Sequence, residues 1–115
     1  MKIVIPVLEN RSRESRLSPH FGRAPYFAVY STKTGELEIF ENRGGHFGGR
    51  GTPAQNMLKH GPDVVFALGM GPNAIELFAR EGVRVETGDF KTVGDVIDNK
   101  ERLEKLEEGC KEHKH

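Results

Sequence analysis

The chain has 115 residues, no tryptophan, a single cysteine and no net charge: 17 Lys plus Arg stand against 17 Asp plus Glu. One cysteine, Cys110, excludes an intrachain disulfide. The balanced charge excludes the strongly basic composition typical of nucleic-acid binders, so no nucleic-acid partner is expected. No apolar run approaches the roughly 20 residues that a helix needs to span a bilayer. The opening MKIVIPVLEN reads as a strand with an acid close behind it, not as a signal peptide. A soluble, cytoplasmic protein with no membrane partner is therefore expected. Motifs for turnover are also missing. There is no G-x-S-x-G elbow, no H-E-x-x-H, no G-x-G-x-x-G and no P-loop. Carboxylates at recognisable acid–base spacing are absent too, and only Glu9 stands at the end of the first strand. A nuclease-type enzyme would need several, so no enzyme activity is expected.

What is present suits one domain with a modest core. Residues 2–9 end in an apolar run (Ile3, Val4, Ile5, Val7, Leu8), which predicts a buried first strand. Residues 26–32 and 36–42 read as a hairpin turning at Lys33-Thr34-Gly35. Thr52-Pro53-Ala54-Gln55 opens a helix that stops at His60-Gly61-Pro62. A strand over 63–68, a helix over 73–81, a strand over 83–87 and a helix capped by Thr92 and Asp95 follow. Ile3, Ile5, Val7, Val65, Ala67, Ile75, Phe78 and Val85 are the expected core. The order β-β-β-α-β-α-β-α predicts an α/β fold with a five-stranded mixed sheet flanked by helices. Residues 1–98 form the domain. Residues 99–115 read as a charged helical extension, supported by the Glu101–Lys105 spacing, and a Cys/His tail. A monomer or weak dimer is expected.

Two loops are too long for plain connections. Residues 10–25 span sixteen positions where a hairpin needs two to five. Residues 43–51 hold five glycines in nine positions, so that loop is either unordered alone or closes around a ligand. Together the two loops carry Arg11, Arg13, Arg16, Arg23, Arg43 and Arg50 and no lysine; guanidinium groups suit fixed contacts to anions. Solvated surface is the plainer reading of each one. Gly69-Met70-Gly71-Pro72-Asn73 follows a parallel strand and opens a helix, where free N–H groups suit an anion. Met70 is read as packing. His60, at a helix C-terminus, is explained by the local dipole. His20 and His46 lie in the long loops, as bystanders or as a ligand pair. Cys110-x-x-His113-x-His115 is half of a transition-metal site.

These residues resemble a known family. Ser18-Pro19-His20-Phe21-Gly22-Arg23-Ala24-Pro25-Tyr26-Phe27, then Gly44-Gly45-His46, then Gly69-Met70-Gly71-Pro72-Asn73-Ala74 are similar to the dinitrogenase iron–molybdenum cofactor-binding family, which includes NifX and the C-terminal domain of NifB. The resemblance covers about residues 1–98. It implies a ribonuclease H-like fold and a small, non-catalytic carrier or chaperone. Its cargo would be an anionic metal–sulfur cluster of iron–sulfur, iron–molybdenum or molybdenum–copper type, passed between donor and acceptor proteins. It favours His20 as the metal ligand. His46 is the second candidate, although the middle loop lacks a cysteine. Arg23, Arg43 and Arg50 would supply charge, and Gly69, Gly71 and Asn73 the helix N-terminus. A different class stands beside this one: a regulatory binder of a phosphorylated or nucleotide ligand, using the same arginines and helix N-terminus.

Overall fold

The computed structural model describes residues 1–42 and 53–100, together with the backbone of residues 104–105. Arg43, His46, Arg50, Cys110, His113 and His115 lie outside the described residues, as does Thr52, the expected cap of the first helix. Six strands form one sheet in the order β3-β2-β1-β4-β5-β6. They are β1 (Lys2–Val7), β2 (Tyr26–Ser31), β3 (Leu37–Glu41), β4 (Val64–Phe66), β5 (Arg84–Thr87) and β6 (Glu104–Lys105). The helices are α1 (Pro53–Leu58), α2 (Pro72–Arg80) and α3 (Val93–Asp98).

The expected five strands are all present, and the sheet is mixed: β1 is antiparallel to β2 and parallel to β4, and β4 is parallel to β5. The sixth strand corrects the expected helical extension. Glu104 and Lys105 pair antiparallel with Thr87 and Glu86. A Glu–Lys pair at helical spacing is worth only about 0.2–0.5 kcal/mol. The open edge of β5 instead offers backbone hydrogen bonds at about 0.5–1.5 kcal/mol each.

Strand alternation divides the core between the two faces of the sheet. On one face Val4, Phe27, Val65 and Val85 pack with Met57 of α1 and Phe78 of α2. On the other Ile3, Ile5, Val7, Ala28 and Phe66 pack with Val93, Val96 and Ile97 of α3. With both faces covered, β1 is buried from Ile3 to Val7 and needs no polar alternation. Of the expected core only Ile75 is half-buried, because α2 turns Phe78 fully inward and Ile75 toward its flank. Thr92 and Asp95 form the expected capping box on α3. The chain leaves α1 at Gly61 (φ +66°) and α2 at Gly82 (φ +77°), backbone that glycine adopts without a Cβ clash.

Pro6 in a central strand looks anomalous, since proline cannot donate to the ladder. The register explains it. Pairing of β1 with β4 stops at Val4↔Val65, so no N–H is required of residue 6 on that side. Residues of the long loop take over there: Leu8 N–H donates to Arg16 O (2.8 Å), and Ser18 N–H donates to Pro6 O (3.1 Å).

Ile5 has no solvent exposure. Ile5→Ala is expected to cost about 2–5 kcal/mol in urea unfolding. A loss below about 0.5 kcal/mol would contradict the central placement of β1.

Candidate functional site

The sixteen-residue loop is ordered by pairing along two sides. Besides its bonds to β1, Leu17 N–H donates to Lys91 O (2.9 Å) and Val93 N–H donates to Ser15 O (3.0 Å). The segment 15–18 thus bridges the end of β1 and the start of α3. The side chains reinforce it. Fully buried Ser15 takes the Arg11 N–H on its Oγ (2.7 Å). Glu9 accepts from Arg16 Nε (2.9 Å), from Arg16 Nη2 (3.2 Å) and from its backbone N–H (3.0 Å). Those contacts hold the Glu9 carboxyl at about 2, well below its ordinary 4.5. The one carboxylate at the end of β1 is therefore an anchor of the loop.

The loop arginines divide by partner. Arg16 is held by Glu9, Arg13 by Asp98 (2.8 Å) and Arg11 loosely by Glu14 (3.8 Å). Arg23 forms no ion pair with a described residue and is exposed. Of the four in this loop it alone has no ion-pair partner among the described residues.

Beyond Ser18 the chain enters the 3-10 turn Phe21–Arg23, with His20 at its start. Ser18, itself buried, pins His20 twice. Its Oγ donates to His20 O (2.9 Å) and accepts the His20 N–H (3.3 Å). Arg23 N–H also donates to His20 O (3.2 Å). The backbone of His20 is fixed while its imidazole lies exposed. Phe21 is the apolar anchor of the turn, edge-on to Phe78 of α2 at 5.8 Å. Downstream, Asn42 donates its Nδ2–H to Ala24 O (2.9 Å) and its N–H to Pro25 O (2.9 Å).

Opposite this turn the chain leaves β4 and enters α2 through Gly69–Gly71. An open hollow of about 560 Å³ lies between the two. Its wall includes His20, Arg23, Gly69, Met70, Gly71 and Asn73. The described members of the expected constellation therefore share one hollow. It sits where β1 and β4 end side by side and their connections diverge, β1 toward β2 and β4 toward β5. Open α/β sheets bind ligands at such a switch point. Gly71 caps α2 and Pro72 opens it; Ile75 N–H reaches Gly71 O (3.2 Å). The Asn73 and Ala74 N–H groups have no acceptor within the helix, and the helix dipole adds positive potential. Met70 is buried in the core, as its reading as a packing residue requires. No acidic residue lines the hollow among the described residues.

Comparisons with known proteins show the family and its fold. A family model described as "Dinitrogenase iron-molybdenum cofactor" matches residues 1–103. The chain belongs to the dinitrogenase iron–molybdenum cofactor family. One relative in the family range is MJ0580, an uncharacterized protein of Methanocaldococcus jannaschii. It is 32% identical over 102 residues, covering 84% of this chain and 82% of that protein. The crystal structure of PH0822 superposes with a TM-score of 0.78 at 30% identity, over 97% of this chain and 100% of that one. An NMR structure of a Thermotoga protein described as of NifB type has a TM-score of 0.75 at 29% identity, over 99% and 97% of the two chains.

Sequence reasoning missed two residues that hold the turn bearing His20 and Arg23. Ser18 stood in the quoted motif, and a serine two positions before His20 is a signal for a local side-chain turn. Asn42 gave no signal, because its side-chain partner lies 18 residues upstream. Among the described residues no three or more of His, Cys, Asp and Glu gather as a metal site. No described helix is long and apolar enough to cross a membrane.

His60 lies outside the hollow and departs from its dipole reading. Its ring packs against Phe40 at 4.5 Å and Phe27 at 5.3 Å. Burial, with nearby Lys2 adding to it, lowers its pKa from the ordinary 6.5. The folded state then binds fewer protons than the unfolded chain, so stability from this residue is complete above about pH 6.5 and lost as pH falls. The thermal midpoint is expected to fall between about pH 7 and pH 5, and less so in His60→Gln. Glu9 acts only at lower pH, below about 4.5. Identical slopes for parent and variant would contradict the burial of His60.

Proposed function

We propose that this protein is a small, non-catalytic carrier that holds an anionic metal–sulfur cluster in iron–molybdenum-cofactor-related biosynthesis or trafficking. It would receive the cluster from a donor protein and pass it to an acceptor. The fold is read as the ribonuclease H-like type. One observation carries the proposal: the hollow combines an exposed imidazole, a guanidinium with no ion-pair partner among the described residues and a helix N-terminus, with no carboxylate in its described lining. A hydrated cation would want oxygen ligands and negative charge. This wall offers the reverse. It suits a cargo that is negative overall and carries a metal with an affinity for imidazole.

In this reading His20 Nδ1 or Nε2 ligates one metal of the cargo, and Arg23 faces its sulfide surface. The Asn73 and Ala74 N–H groups point toward the same charge. Arg43, His46 and Arg50 would add to the set from the following loop. Cys110, His113 and His115 would form a separate tail site. The family, described by the iron–molybdenum cofactor, and the NifB-type neighbour support a role of this kind.

The test is anaerobic reconstitution with iron, sulfide and molybdate, then gel filtration, metal analysis and visible spectra. The parent should retain metal and sulfide. His20→Ala should retain at least about tenfold less, in the range seen when a metal shell is disrupted, with its thermal midpoint unchanged. Acid should release the cargo, since protons compete for the imidazole. Full retention by His20→Ala would remove the ligand assignment. Failure to load, with saturable binding of a nucleotide or phosphorylated compound, would favour the regulatory reading.

A further inference from the structure

We propose that Asn42 is a positioning residue of this hollow and that it acts through Arg23. The inference rests on the carrier reading for the identity of the site, and on the structure for the role of the residue.

The turn that presents His20 and Arg23 is clamped at both ends. Upstream, the Ser18 hydroxyl brackets His20. Downstream, the two consecutive carbonyls after Arg23, those of Ala24 and Pro25, are both taken by Asn42, each at 2.9 Å. β3 runs parallel to β1, since each is antiparallel to β2, so Asn42 just beyond it lies at the same end of the sheet as the hollow. Ala24 is buried and Pro25 has a fixed φ, so this leg of the turn has little freedom beyond what Asn42 removes.

The stability of the fold does not account for this amide. The end of β3 is already secured by the Tyr26↔Glu41 pair and by the Asn42 backbone N–H. The side chain adds one hydrogen bond through Nδ2. Its Oδ1 is then buried with no partner among the described residues. An unmet buried acceptor costs at least as much as one neutral hydrogen bond contributes. Rotating the amide would turn Oδ1 toward the Ala24 carbonyl, acceptor against acceptor, so the orientation is forced. A side chain held at no net gain in stability is accounted for by what it fixes: the Ala24–Pro25 peptide, one residue beyond Arg23. A guanidinium on a held backbone meets an anion with less ordering cost than one on a free turn.

The experiment uses the full chain, reconstituted with iron, sulfide and molybdate as above. Asn42→Ala should retain about tenfold less metal than the parent, as loss of an outer-shell partner does, with its thermal midpoint near the parent's. The isosteric Asn42→Asp, which cannot donate to Ala24 O, should show a similar loss. The deciding readout is a double-mutant cycle. In an Arg23→Ala background, Asn42→Ala should change retention by less than about twofold, because the residue acts through a side chain already removed. Multiplicative losses would overturn the proposal. So would parent-like retention by Asn42→Ala while His20→Ala loses its cargo, which leaves the site reading standing. If both Asn42 variants fail to fold, the amide belongs to the fold and the proposal falls. Full retention by His20→Ala would remove the site reading first, and this inference with it.

Discussion

The pairing of residues 15–18 with β1 on one side and with residues 91–93 on the other is the constraint on which the site end of this molecule depends. Four backbone hydrogen bonds make it, two on each side. At about 0.5–1.5 kcal/mol each, they are comparable to one buried aliphatic side chain, and the burial of Leu17 adds to them. Their geometric consequence is larger than their energy. Without this segment the second half of β1 would have no partner on the β4 side. With it, the ladder changes partner after Val4, from β4 to the loop. The loop and the exit of β4 then diverge, and the hollow is the space between them.

Electrostatics follow from the same arrangement. Exposed ion pairs contribute little to stability, and Arg16–Glu9 and Arg13–Asp98 are no exception on that count. What they do is allocate charge. Glu9, the carboxylate nearest the end of β1, is neutralised by its own loop, and Arg13 is tied to the C-terminal end of α3. Among the described residues, the positive potential left at the hollow comes from Arg23 and the first turn of α2. Two of the four arginines in one loop are thus close structural ties, a third is a loose one, and the fourth has no ion-pair partner among the described residues.

Much of the fold was legible because it rests on local signals. An apolar run marked β1, glycine marked the ends of α1 and α2, and Thr92 with Asp95 marked α3. The site was legible as far as a motif reaches: His20, Arg23 and the Gly69–Asn73 turn were each visible, and their meeting followed from parallel strands ending together. What was not legible is long-range or sets one weak preference against another. Arg13 finds Asp98 across 85 positions, which no spacing rule anticipates. Lys105 looked helical beside Glu101, yet the open edge of β5 decided its conformation. His60 carried a correct local reading, a cation welcome at a helix end, that burial against two phenylalanines overrode.

The proposed role sets two demands that usually conflict. Cargo must be held in one orientation, which favours a rigid wall, and it must be given up, which favours few bonds. A cage of four cysteines would satisfy the first and defeat the second. Here rigidity resides in the backbone: Ser18 and Asn42 fix the turn, and Phe21 anchors it on Phe78. Among the described residues, the groups facing the hollow are one imidazole, one guanidinium and amides at a helix end, each of which releases an anion without breaking a thiolate bond. Holding can then come from preorganised weak contacts. In the carrier reading, release needs competition for imidazole ligands only, and an acceptor offering a better donor than imidazole would supply it.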